Sequence, residues 1–239
     1  MTRPDGRIAT DLRPLSFELT PIRYPEGSTI VKMGETHVLC AVSVAYRAPR
    51  WKQSGGWLTA EYALLPGSTH TRTSRRHTQG GRAQEIRRMI GRSLRAAIDL
   101  DMIGERTLTV DCDVLQADGG TRTAAITGGY VALALALRHL ILLDEIPPGA
   151  LRSPVAAVSV GMVDGEPRLD LMYAEDNTAD VDLNVAMDAR ERFIEVQGTA
   201  EGEPIARPTL DTLLDLAATG IQEIIQAQRE ALACAGIEI

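Results

Sequence analysis

Apolar residues recur at two different periods along this chain, and the changes of period divide it into elements. Ser28-Thr-Ile-Val-Lys-Met, Gly34-Glu35 and Thr36-His-Val-Leu-Cys-Ala-Val-Ser-Val read as a strand, a tight turn and a second strand. Thr59 to Leu65 is another short strand, preceded by a Gly-rich loop that contains Trp51 and Trp57. The pattern then changes. Ile86, Met89, Ile90, Leu94, Ala97 and Ile98 return at three- and four-residue spacing, which predicts a helix with one apolar stripe and with Arg88, Arg92 and Arg95 opposite it. Arg106 to Gln116 alternates through Leu108, Val110, Cys112 and Val114, which again predicts a strand.

From about Thr123 to Leu143 the chain is apolar nearly all round, the pattern of a buried helix. Val155 to Met172 reads as a hairpin around Asp164-Gly165, and Ala179 to Val196 as a second hairpin turning near Asp188-Ala-Arg190. Pro208 opens a terminal amphipathic helix. Two segments lack a period: the polar opening Arg3 to Leu15, read as an arm or loop, and the Arg-rich stretch from Leu65 to Gly81. A loop of that second length inside a compact domain is usually functional. No low-complexity linker divides the chain. The expectation is one α+β domain over residues 1–239, with mixed β-sheets packed by helices and two halves that each run from strands into a helix.

Composition narrows the class. With 44% hydrophobic and 24% charged residues in 239, the chain has the make-up of a soluble globular protein. Charges fill the first 25 residues, and the longest apolar run, Tyr130 to Leu143, is interrupted by Arg138 and His139; a cytoplasmic protein without membrane attachment is expected. Cys40, Cys112 and Cys234 form no CxxC pair, and the four histidines are scattered, so neither a disulfide framework nor a zinc site is predicted. Cys40 and Cys112 fall in apolar runs and are expected to be reduced and buried.

The net charge of −7 argues against a nucleic-acid binder until its distribution is considered. Residues 71–95 carry Arg72, Arg75, Arg76, Arg82, Arg87, Arg88, Arg92 and Arg95 against Glu85 alone, whereas residues 175–203 are strongly acidic. A basic and an acidic region in one fold suit an enzyme that processes polyanions, although two solvated faces of opposite sign give the same counts. Aromatic residues make up only 4%, so an aromatic stacking platform is not expected, and Trp51 and Trp57 are read as anchors of their loop.

The chemistry concentrates in Asp118-Gly119-Gly120-Thr121-Arg122-Thr123-Ala124, between a strand and the buried helix. Consecutive glycines let successive N–H groups point into one concavity, and the helix tip adds unsatisfied donors and the positive end of its dipole. Arg122 supplies a planar fork matched to phosphate oxygens. A cation in a first helical turn opposes the dipole unless an anion offsets it, which favours an anion site over a plain turn capped by Thr121. Gly80-Gly81-Arg82 repeats that logic more weakly. In Glu175-Asp176-Asn-Thr-Ala-Asp180-Val-Asp182, a strand from residue 179 would put Asp180 and Asp182 on one face with Asp176 nearby. Paired carboxylates can hold magnesium, and they equally blunt a strand edge.

With these motifs quoted, a resemblance is specific. Arg3-Pro-Asp-Gly-Arg7, Leu12-Arg-Pro14, Pro25-Glu-Gly-Ser28, Thr59-Ala-Glu-Tyr62, Gly81-Arg82, the run Asp111 to Ala124, Ala156 to Gly161 and Glu195-Val-Gln-Gly-Thr-Ala-Glu201 resemble the ribonuclease PH family in that family's order along the whole chain. The resemblance implies a phosphorolytic 3′→5′ exoribonuclease of the nucleotidyltransferase class. It would use inorganic phosphate as co-substrate to trim tRNA precursors and other RNA 3′ ends, releasing nucleoside diphosphates. It implies phosphate binding by Arg82, Gly120, Thr121 and Arg122, and catalysis with Mg2+ or another divalent cation at Asp176 and Asp182. RNA contacts are implied at Arg72, Arg75 and Arg76, and a homo-oligomeric ring of six built as a trimer of dimers. Gly67, where a basic residue is common, and Ala125, where serine is frequent, depart from the family pattern.

Overall fold

The computed structural model describes residues 3–75 and 80–237. The first sheet joins β1 (Leu15–Leu19), β2 (Gly27–Met33), β3 (Thr36–Ala45), β4 (Trp57–Leu64) and β5 (Thr107–Gln116) in the order β1-β2-β3-β5-β4. All its pairs are antiparallel except β4 with β5, the parallel pair whose connection carries helix α1 (Gly81–Ala96). Parallel neighbours require such a crossover. The alternation read in β5 appears directly as burial: Leu108, Val110, Cys112 and Val114 are fully buried, and Thr109, Asp111 and Asp113 lie on the half-open face.

The second sheet has the order β7-β6-β8-β9 and is antiparallel throughout, with β6 (Val155–Val163), β7 (Glu166–Leu169), β8 (Val181–Asp188) and β9 (Phe193–Ala200). The β6–β7 turn sits at Asp164 and Gly165, both at positive φ. Between the sheets runs α2 (Thr121–Leu142), which packs on β2 and β3 and also on β6 and on the terminal helix α4 (Arg207–Cys234). By length and composition α2 could cross a membrane, yet 72% of its apolar window is buried inside the protein. Its uniform apolarity reflects burial on every side. Cys40 and Cys112 are free and buried as expected.

Three local readings change. Leu15–Leu19 is an edge strand, where the sequence pattern ended the polar arm at Leu15; five alternating residues beside a proline give too short a signal. Tyr173–Asp176 forms a single helical turn, α3. Strand β8 begins at Val181, so Asp180 precedes it, exposed, with its N–H donating to the Met162 carbonyl; Asp180 and Asp182 do not share a strand face.

Candidate active site

The glycine-turned helix tip forms as the sequence predicts. Gly119 and Gly120 have φ of 73° and 62°, in the left-handed region that only glycine occupies cheaply. A Cβ on Gly119 would lie 2.7 Å from the Leu171 carbonyl oxygen, so the close approach of the 171–173 backbone also demands glycine. Gly120, not Thr121, is the N-cap of α2, and no side chain caps it. The N–H groups of Thr121 and Arg122 accordingly have no acceptor among the described residues. Those are the orphan donors that an anion satisfies.

The tip borders a cleft of about 1150 Å³ whose walls include Tyr62, Arg72, Arg82, Glu85, Gly120, Thr121, Arg122, Asp176, Asp182, Asn184 and Gln197. Arg82 stands in the first turn of α1, whose N-cap Gly80 is likewise without a side-chain cap. Arg122 Nη1 donates to Gln197 Oε1 at 2.7 Å and lies 3.5 Å from Glu85 Oε1, while Gln197 Nε2 donates to the same Glu85 oxygen. Both contacts use Nη1. The Nε–Nη2 side of the fork has no partner among the described residues and is free to grip an oxyanion bidentately. The Tyr62 and Thr121 hydroxyls share a hydrogen bond of 2.8 Å, which ties β4 to the helix tip.

Asp176 and Asp182 face this positive wall. Desolvation by the cleft walls pushes the Asp176 carboxyl above its ordinary range, against the opposing pull of Arg122, Arg82 and Arg13. Asp182 is also raised, first by desolvation and then by the negative charge of Asp176, with Arg122 pulling the other way. Each carboxyl therefore senses the other side of the site, and both arginines reach Asp176. Among the described residues no cluster of three or more metal-ligating side chains exists. Two mutually repelling carboxylates fit a hard cation that keeps several waters and shares substrate oxygens, as magnesium does, better than an ion needing an all-protein cage.

The sequence pattern assigned no role to the groups that hold these residues in place. The opening segment is buried ion-pairing machinery. The Arg3 guanidinium grips both Glu175 oxygens, from Nε at 2.8 Å and Nη2 at 2.6 Å, and Arg168 Nη1 donates to Glu175 Oε1 at 3.2 Å. Arg13 grips Asp170 at 3.0 and 2.7 Å and donates from Nη1 to the Asp118 carbonyl at 2.5 Å. Thr36 closes the loop from the other side, accepting from the Asp118 N–H at 2.9 Å and donating to the Gly119 carbonyl at 2.6 Å. One network thus sets the glycines at the α2 tip and the α3 turn that carries Asp176.

Seven of the nine residues singled out from the sequence line this one cleft: Arg72, Arg82, Gly120, Thr121, Arg122, Asp176 and Asp182. Arg75 lies outside its lining, and Arg76 falls outside the described residues. The sequence reading missed Arg3, Arg13, Glu85 and Gln197. A signal existed for the first two, since arginines and acids alternate from Arg3 to Arg13; none existed for Glu85 and Gln197, which lie 112 residues apart and meet only in the fold.

Two family models match the chain: the 3′ exoribonuclease family, domain 1, over residues 11–138, and domain 2 of the same family over residues 153–220. A ribonuclease PH from Synechococcus sp. (strain JA-2-3B'a(2-13)) is 55% identical over 236 residues, covering 96% of this chain and 97% of its own length. Another from Crocosphaera subtropica (strain ATCC 51142 / BH68) is 53% identical over 233 residues, covering 96% and 97%. Among solved structures the fold is similar to rice (Oryza sativa) Rrp46, with a TM-score of 0.79 at 22% identity over 97% of this chain and 100% of that one. It is similar to the same degree, 0.79 at 22%, to a chain of the Archaeoglobus fulgidus exosome with RNA bound to the active site, over 94% and 91%.

Proposed function

The chain belongs to the 3′ exoribonuclease family, and from that premise we propose that it shortens RNA by phosphorolysis. Inorganic phosphate is held by Arg82, by the free side of the Arg122 fork and by the orphan N–H groups at the α2 tip. It attacks the terminal 3′,5′-phosphodiester; the P–O3′ bond breaks, a nucleoside diphosphate leaves, and the RNA ends one nucleotide shorter. Phosphate is itself the nucleophile, so the protein's work is positioning and charge stabilisation. The reading is supported by one observation above all: both arginines, the uncapped helix tip and the paired carboxylates line a single cleft.

Asp176 and Asp182 would hold a divalent cation, which when bound would offset charge on the scissile group. Asp182, whose carboxyl is raised by desolvation and by Asp176, also suits proton donation to the leaving 3′-oxygen. Arg72 in the cleft lining, with Arg75 and Arg76 close to it in the sequence, is assigned to the RNA backbone. The substrates are tRNA precursors and other RNA 3′ ends, met in the cytoplasm. The two sheets act as one domain, a reading supported by the core that α2 makes continuous between them. Six copies form a ring as a trimer of dimers, which sedimentation of the purified protein checks.

The deciding experiment incubates the protein with a 3′-extended tRNA, with and without phosphate, and separates the products. Nucleoside diphosphates that require phosphate are expected; monophosphates released regardless of phosphate would overturn the assignment in favour of hydrolysis. Within that assay, Arg122→Ala is expected to raise the KM for phosphate about ten- to a hundredfold, because a charge-assisted hydrogen bond is worth roughly 1.5–3 kcal/mol. An unchanged phosphate KM would remove Arg122 from the site.

A further inference from the structure

The loop between β3 and β4 forms a second cationic surface that the chemistry above leaves unused. Tyr46 and Trp51 are each 64% exposed there. Tyr46, Arg47, Arg50 and Lys52 border a cavity of about 260 Å³, and Trp51 lies between Arg50 and Lys52 in the chain, outside its lining. Among the described residues none of these three cations is in an ion pair; Glu105 is the one carboxylate in the lining. The sequence pattern read both tryptophans as anchors, and Trp57 is one: half-buried, with the Arg95 guanidinium 4.5 Å from its ring centroid. Trp51 meets Trp57 at 4.8 Å with ring planes at 82°, so it is braced while most of its surface stays in water. Tyr46 is braced too, with Arg106 5.3 Å from its ring and its hydroxyl donating to Glu145 at 3.1 Å.

Exposed rings held in place by neighbours, with unpaired cations beside them, fit a particular ligand chemistry. The centre of a protein–protein interface is depleted in charge, and lysine is disfavoured there. Unpaired nucleic acid instead offers an aromatic face and an anion at every step, which suits an aromatic platform flanked by arginines. Fixing the ring beforehand also removes part of the ordering cost of binding. We propose that this loop is a second RNA site, where an unpaired nucleotide stacks on Trp51 and its flanking phosphates rest on Arg47 and Arg50.

The placement defines which part of the RNA it meets. Strand β4 runs from Trp57, beside the loop, to Leu64, which lines the cleft. Seven steps of about 3.3 Å separate the two ends by roughly 23 Å, the length of about seven stacked nucleotides. The loop therefore grips RNA upstream of the trimmed terminus. It leaves the last nucleotides to the cleft, and it distinguishes long RNA from short.

This inference rests on the phosphorolytic reading, and the test separates the two. The native protein, Trp51→Ala and the double variant Arg47→Ala/Arg50→Ala are compared on a trinucleotide and on an unstructured RNA of about 20 nucleotides, at saturating phosphate. Trp51→Ala is expected to raise the KM for the long RNA about tenfold, the loss of one stacked base. The double variant is expected to flatten the log KM against log salt slope for the long RNA by about 1.4, the share of two phosphate contacts on a single strand. Neither variant alters the trinucleotide KM or the phosphate KM. Equal effects on both RNAs, or none on the long one, overturn the second site. So does a change of sedimentation in either variant, which would assign the loop to contact between copies of the chain. Native protein without phosphorolysis of either RNA would sink the functional reading itself.

Discussion

Asp182→Asn is expected to lower turnover about a thousandfold at saturating phosphate and RNA, within the 10²–10⁴ range that a positioned general acid supplies. The change is nearly isosteric, and the carboxylate of Asp182 bonds to no other residue among those described, so the melting temperature should stay within a degree or so of native. Single-turnover rates on a 3′-extended RNA give the measurement. A metal titration separates the two roles that Asp182 could fill: a lost proton donor is not restored by tenfold more divalent cation, whereas a weakened ligand is. The same variant should keep the native KM for phosphate, because the arginines and the helix tip remain. A turnover within tenfold of native would take Asp182 out of the chemistry and leave Asp176 as the working carboxylate.

How far the sequence displayed this site depends on the range of each contact. Gly119, Gly120 and Arg122 were legible because turn and helix tip are local: backbone conformation, orphan donors and a misplaced cation all lie within four residues. Strand β5 and helix α2 were legible because their periodicity is the imprint of one buried face, or of burial on every face. The strand pattern paired Asp180 with Asp182 and left Asp176 in the connecting loop; only the family resemblance joined Asp176 to Asp182. Asp176 belongs to a single helical turn, and Asp182 is the second residue of β8. The brace on Arg122 could not be read at all, since Glu85 rides on α1 and Gln197 on β9 and neither spacing nor period connects them. The opening segment misled most. Polar residues with two prolines read as an arm or loop, whereas Arg3 and Arg13 are 2% and 4% exposed. Hydropathy assigns charge to water, and a buried ion-pair network is where that rule fails.

The largest effect on the fold itself is expected at that network. Glu175→Ala leaves the guanidinium groups of Arg3 and Arg168, 0% and 5% exposed at the side chain, without their shared carboxylate. Removing one partner from a buried pair costs about 3–5 kcal/mol, because the remaining charge stays out of water uncompensated. For a chain of this length that lowers the melting temperature by roughly 10 °C. Acidity checks the origin of the loss. Burial alone would raise the Glu175 carboxyl, but its bonds to Arg3, the Met172 N–H and the nearby Arg7 outweigh it and hold the value below the ordinary carboxylate range. A group depressed on folding stabilises the native state above its unfolded value, and that contribution disappears as pH falls through the folded value. Native protein should therefore lose stability on acidification through this window, and Glu175→Ala, already without the carboxylate, should lose less. Equal acid slopes in the two proteins would mean that the pair contributes nothing to stability. The variant reports on function as well: Glu175 precedes Asp176 in the α3 turn, so at a temperature where it remains folded its turnover should fall further than its phosphate KM rises, the signature of a carboxylate displaced while the arginines hold their places.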